Sequence, residues 1–259
     1  LVFVIMLAYV LSNPAFRQYA LFKQSKLDLA IIKSIFTLGG PISAQFAIEL
    51  CAYALAAMLM GLLSVDALAA QQMVIQSGIL AGIIPFSMSQ GASILISKKM
   101  GQNDLEGVRE IVKHGMTLVV LIATVIAVFY LTCSDWIISL YIDNRTLASD
   151  ANVISTAKVL LSMFAVTQLL DCVRNMLGSS LTGLRRSHLA MLASFVSCWV
   201  IAVPVSYLAM FYFHLGPIGM PVGFQLGFAA GIVMTMVLLK RLTGSPDSDV
   251  PAKLVTETA

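Results

Sequence analysis

Six stretches of this 259-residue chain are nearly unbroken apolar runs, each long enough to cross a lipid bilayer as a helix. They occupy 36–63, 73–97, 116–133, 159–184, 189–213 and 215–239, separated by short polar or Gly/Pro-marked breaks. Hydrocarbon offers no water to satisfy backbone N–H and C=O groups, so such runs fold as helices whose hydrogen bonds close within the segment. The expected fold class is therefore an all-α membrane protein with six transmembrane helices. Only 11% of residues are charged, against roughly 25% in an ordinary soluble domain.

A further apolar run at 1–12 covers only about 18 Å of a roughly 30 Å core and has no basic residues ahead of it. It reads as the end of a preceding helix rather than a signal peptide. Segment 13–35 places Leu27, Ile31 and Ile35 at helical spacing among Lys23, Lys26 and Lys33, the pattern of an amphipathic connector lying on a membrane surface. The organisation expected is thus a truncated helix (1–12), a connector (13–35), a six-helix lobe (36–242) and a disordered tail (243–259) rich in Gly, Ser, Pro, Asp and Thr.

The net charge of +3 is explained by topology. Twelve of sixteen cations flank alternate loops: Arg17, Lys23, Lys26 and Lys33; Lys98, Lys99, Arg109 and Lys113; Arg185 and Arg186; Lys240 and Arg241. The opposite loops hold Arg145 and Lys158. By the positive-inside rule the first set is cytoplasmic, the C-terminus is inside, and Trp136 and Tyr141 suit the opposite interface. Nucleic acid is not an expected partner. Cys51, Cys133, Cys172 and Cys198 show no metal-site spacing, His114, His188 and His214 lie far apart, and no nucleophile has a recognisable base beside it, so neither a metal centre nor an enzyme is expected.

Two carboxylates stand near the middle of apolar runs. Glu49 is fourteenth in its 28-residue span and Asp171 thirteenth in its 26-residue span. An ionisable group there costs about 2.5–3.5 kcal/mol on insertion scales, and it normally faces a bundle interior or wet cavity where it handles an ion, a proton or a substrate. Gln45, Glu49 and Tyr53 share one helical stripe; Thr167, Asp171, Arg174 and Asn175 share another, with Gln168 beside them. Oxygen ligands suit a hard cation, and a desolvated carboxylate can exchange a proton instead. Arg174, three residues after Asp171, has three readings: pairing with Asp171, contact with an anionic substrate group, or snorkelling to the interface. The bland alternative for both carboxylates is interhelical hydrogen bonding.

Elsewhere, Gly219, Gly223, Gly227 and Gly231 recur every fourth residue and form a small-residue stripe for close helix packing. Pro85 and Pro204 should kink or loosen their helices. Ser89, Ser93 and Ser97 with Gln90, and Gln71, Gln72 and Gln76, either line an aqueous path or make packing contacts.

Gly40-Pro41 ahead of Glu49, Ala67-Leu68-Ala69-Ala70 with Gln72, Pro85, Gly101-Gln102, and Asp171 followed by Leu181-Thr182-Gly183-Leu184 together resemble the second half of the MATE (multidrug and toxic compound extrusion) transporters. The resemblance implies one six-helix lobe of a twelve-helix antiporter that exports organic cations in exchange for Na⁺ or H⁺, with no cofactor beyond that coupling ion. It implies that Glu49 and Asp171 are the ion-coupling carboxylates, that the partners are a small-molecule substrate, the bilayer and a missing N-terminal lobe, and that the setting is a bacterial inner membrane. Two positions depart from the family pattern: Thr167 stands where some Na⁺-coupled members carry an aromatic residue, and Arg174 where Gln is common. An exporter of an anionic or zwitterionic metabolite held by Arg174, and a non-transporting membrane assembly subunit, are the competing readings.

Overall fold

The computed structural model describes residues 29–141 and 151–244. The run at 1–12, most of the connector and nearly all of the tail lie outside these residues. The chain divides into two compact units, 1–37 and 38–259; of the first, residues 29–37 are described and form the opening turns of a helix. The second is built from helices packed on one another.

Among the described residues, six helices are long and apolar enough to cross a membrane: α1 (Leu29–Leu63), α2 (Val65–Gly101), α3 (Leu105–Thr132), α5 (Ala151–Gly183), α6 (Ser187–Tyr212) and α7 (Gly219–Gly244). A single short turn of helix, α4 (Ser134–Ser139), follows α3. The helices overrun the apolar runs at several ends: residues 65–72 and 98–101 belong to the helix Val65–Gly101, and residues 105–115 to the helix Leu105–Thr132. Helix α1 likewise begins by Leu29, inside the segment expected as a connector.

The turns carry local caps. Ser64 alone separates α1 from α2, its hydroxyl accepting the Ala67 N–H at 3.0 Å. At the other end of α2, Asn103 takes a left-handed φ of 56°, and Asp104 caps α3 by accepting the Gly107 N–H at 2.8 Å. Lys99 reaches the same carboxylate at 2.6 Å. The Lys99 ammonium first, and the Gly107 amide after it, hold the Asp104 carboxyl below the usual carboxylate range. A depressed folded-state value means that this contribution is present above the ordinary carboxylate pKa and is lost as pH falls through the depressed one. Asp104→Ala should therefore lower the protection of the Gly107 amide at neutral pH, and acidification of the wild type through the depressed value should lower it too once each rate is divided by the intrinsic exchange rate at that pH; exchange measured by mass spectrometry checks both.

Small residues bring the helices together. Ala52, Ala56, Ala70, Ala165 and Ala202 are buried where large side chains would hold the backbones apart. Leu50, Leu80, Ile94, Leu121 and Val233 are instead more than half exposed, the arrangement suited to a lipid-facing surface. Helix α2 is continuous through Pro85, and Ser89 donates to its carbonyl at 2.9 Å. Pro204 lies between two wider π-helical segments of α6, Val196–Ala202 and Leu208–Tyr212, as a residue without an N–H loosens its own helix.

The glycine stripe of α7 faces α6. A Cβ at Gly219 would come 2.6 Å from the Met210 nitrogen, one at Gly227 2.5 Å from the Ser197 carbonyl, and one at Gly223 would collide with Ser206. Ser197 and Ser206 use the closeness to donate to the Gly227 and Met220 carbonyls at 2.7 and 3.1 Å. The serine stripe of α2 is likewise a contact surface and not a wet path. Ser89 is fully buried, Ser97 donates to the Gly183 carbonyl at 3.0 Å, and a Cβ at Gly183 would meet the Ser93 carbonyl at 2.7 Å.

Candidate functional site

The two carboxylates meet on one guanidinium. Arg174 of α5 donates from Nη1 to Glu49 Oε1 of α1 at 2.8 Å and from Nη2 to Asp171 Oδ1 at 2.8 Å. Its Nε reaches the same Asp171 oxygen at 3.3 Å, and Nη1 also donates to Ser194 of α6 at 3.1 Å. The ring of Phe228, on α7, lies 4.8 Å from the guanidinium carbon. Four helices thus converge on one side chain. Arg174 is 5% exposed, which removes the snorkelling reading.

Further N–H donors complete the shell. Asn175 donates to Asp171 Oδ2 at 2.9 Å and Gln45 to Glu49 Oε1 at 3.3 Å. Trp199 of α6 donates its indole N–H to the Ile48 carbonyl at 3.1 Å, one residue before Glu49. Two carboxylates and one guanidinium leave a formal charge of −1 in an enclosure where single charges are costly.

One helical turn away, on the side where α1 turns into α2, lies a partly open cavity of about 30 Å³. Tyr53, Thr167 and Phe224 line it, each four residues from Glu49, Asp171 and Phe228 respectively. Tyr53 and Phe224 stack with centroids 5.2 Å apart. Thr167 is fully engaged: it donates to the Met163 carbonyl at 3.1 Å and accepts from Gln225 at 3.3 Å. Gln71 also lines the cavity. It is 3% exposed, and both its amide atoms lack a hydrogen-bond partner among the described residues, a cost of about 1–3 kcal/mol for each atom left unpaired.

Most of the side chains singled out in the sequence are brought together: Gln45, Glu49, Asp171, Arg174 and Asn175 in the cluster, Tyr53 and Thr167 in the cavity wall. Gln168, expected among them, is not. It points to α2, with its amide nitrogen 3.6 Å from the Cys172 sulfur and 3.0 Å from where a Cβ on Gly82 would stand. Ser194 and Phe228 were missed: nothing in their local sequence distinguishes them from packing residues.

The MatE family model matches residues 41–208, which include Glu49, Asp171 and Arg174. The chain belongs to the MatE family. MATE proteins are transporters, not enzymes, and the six apolar helices make this chain a multi-pass integral membrane protein. It is 29% identical over 241 residues to the multidrug resistance protein NorM of Aliivibrio fischeri, covering 92% of this chain and 51% of the relative. A probable multidrug resistance protein NorM of Mesorhizobium japonicum is 30% identical over 247 residues, covering 93% of this chain and 51% of the relative. Among solved structures, the eukaryotic MATE transporter AtDTX14 superposes with a TM-score of 0.83 at 13% identity, over 99% of this chain and 55% of that one, which shows a shared fold. The chain spans about half the length of the curated MATE relatives it matches.

Proposed function

We propose that the chain supplies one six-helix lobe of an efflux antiporter, and that Glu49 and Asp171 exchange a cation for an amphiphilic organic compound across the membrane that the lobe spans. The carrying observation is the buried Glu49–Arg174–Asp171 cluster, which places a net negative charge at the meeting of four helices. Neutralising it changes which arrangement of those helices is favoured, and that is the physical basis of coupling. Alternating access requires a second lobe to move against this one, contributed by further polypeptide or by another copy.

The donor shell favours a proton over Na⁺ as the coupling ion. A hard metal cation takes several oxygens at once, yet Glu49 Oε1 and both Asp171 oxygens already accept N–H donors. A proton needs one oxygen. The same saturation weakens the anionic-cargo reading, since Arg174 Nε, Nη1 and Nη2 are all committed to Glu49, Asp171 and Ser194.

Glu49→Gln, placed in the complete transporter and expressed in a drug-hypersensitive bacterium, should reduce resistance to the empty-vector level at normal membrane abundance. Export undiminished by that change would sink the assignment, and a change in protein abundance alone would favour the assembly-subunit reading. Transport into vesicles in Na⁺-free buffer, driven by an imposed pH gradient, tests the choice of ion.

A further inference from the structure

We propose that Ser194 is a positioning residue of the exchange step: it is the second acceptor of Arg174 Nη1, and it holds the guanidinium in place while Glu49 is neutral and drawn away. The inference rests on the antiport reading above and assigns the moving part of it to Glu49.

The bonds of the cluster fall into two classes. Asp171 and Asn175 lie on the same helix as Arg174, at separations that keep them neighbours. The bonds from Nη2 and Nε to Asp171 Oδ1, at 2.8 and 3.3 Å, and from Asn175 to Oδ2, at 2.9 Å, therefore travel with α5 whatever its neighbours do. The bonds from Nη1 cross to other helices, to Glu49 of α1 at 2.8 Å and to Ser194 of α6 at 3.1 Å. Of these two acceptors, Glu49 carries a charge that an incoming proton cancels, and the charge-assisted bond weakens with it. The proton adds to a Glu49 oxygen and is returned to water later in the cycle, while Arg174 stays protonated throughout.

The guanidinium is not free to follow Glu49. Asp171 holds it from its own helix, Phe228 lies 4.8 Å from its carbon, and its stem runs past α7, with Cδ 3.4 Å from where a Cβ on Gly231 would stand. Ser194 can remain where Glu49 leaves. It is 4% exposed and lies three residues before Ser197, whose hydroxyl fastens α6 to the Gly227 carbonyl of α7 at 2.7 Å. Among the described residues, the other titratable neighbours of the cluster, Tyr53 of α1 and Cys198 of α6, do not hydrogen-bond to Arg174, and α7 meets it with the Phe228 ring. Without Ser194, a neutral and displaced Glu49 would leave Nη1 with no acceptor, and a buried N–H unpaired on a charged group costs more than one on a neutral group.

A double-mutant cycle reads this without transport. Glu49→Leu stands for the neutral, disengaged state, and denaturant midpoints of the purified protein in detergent are compared for wild type, Ser194→Ala, Glu49→Leu and the double variant. The midpoint loss caused by Ser194→Ala should be at least about twofold larger in the Glu49→Leu background, where the hydroxyl is the remaining acceptor of Nη1. An equal or smaller loss there overturns the proposal and leaves Ser194 a packing residue. With Glu49 native, ethidium uptake into everted vesicles containing the complete transporter, driven by an imposed pH gradient, gives a second reading. Ser194→Ala should lower the maximal rate about tenfold at an unchanged half-saturating ethidium concentration, and Ser194→Thr, which keeps the hydroxyl, should restore most of it. An undiminished maximal rate in Ser194→Ala also overturns the proposal. Absence of ethidium antiport in wild type would count against the antiport reading instead, and the stability cycle alone would then decide for or against Ser194.

Discussion

Replacing Arg174 with leucine should destabilise the protein by about 3–5 kcal/mol, the cost of breaking a buried ion pair by removing one partner. The guanidinium faces Glu49 and Asp171 at 2.8 Å each, so its loss leaves two carboxylates close together with only amides and a hydroxyl for company. The effect should be strongly non-additive. In the triple variant Arg174→Leu, Glu49→Gln, Asp171→Asn, most of the lost stability should return, since neutral amides of nearly the same size need no countercharge. Denaturant unfolding of the purified protein in detergent measures both. A triple variant no more stable than the single one would show that Arg174 matters through its packing against Phe228 rather than through its charge.

Adding a single methyl group at Gly227 should be nearly as damaging. The Cβ would stand 2.5 Å from the Ser197 carbonyl and 2.6 Å from the Ala202 Cβ, and the first of these is backbone that a rotamer change does not move. Helix α7 must then back away from α6, which breaks the 2.7 Å bond from Ser197 to the Gly227 carbonyl. Overpacking costs about 1–3 kcal/mol in ordinary cores and more where backbone is displaced, so Gly227→Ala belongs at the upper end. Gly91 in α2 provides the control. A Cβ there meets nothing within 4 Å, so Gly91→Ala should be neutral or stabilise by about 0.5–1 kcal/mol. Thermal unfolding of the two variants side by side decides whether close approach or general helix propensity governs the stripe.

The architecture was largely legible because the bilayer admits so few solutions: long apolar runs give spans, and glycines every fourth residue give a contact stripe. Within one helix, spacing was informative too, as the Asp171–Arg174 and Asp171–Asn175 contacts follow from separations of three and four residues. Relations between helices were not legible. Glu49 lies 125 residues from Arg174 in sequence, and no local rule brings them onto one guanidinium. The Gln71, Gln72 and Gln76 group shows the same limit. Gln72 and Gln76 are exposed while Gln71 is buried, a difference of a single helical step that depends on where α5 and α7 sit. For the serines of α2 two physical readings were open, and the packed one prevailed because the Gly183 backbone comes close enough to accept the Ser97 hydroxyl.

The bond from the Trp199 indole to the Ile48 carbonyl gives the cluster an optical voice. The chain contains two tryptophans, and the other, Trp136, is 58% exposed on the short helix α4. With Trp136 changed to phenylalanine, near-ultraviolet emission from this chain arises from one indole, hydrogen-bonded to the backbone next to Glu49. Any rearrangement that shifts α1 against α6 strains or releases that bond and should alter the emission wavelength, so movement of one helix against the other can be followed without an attached dye.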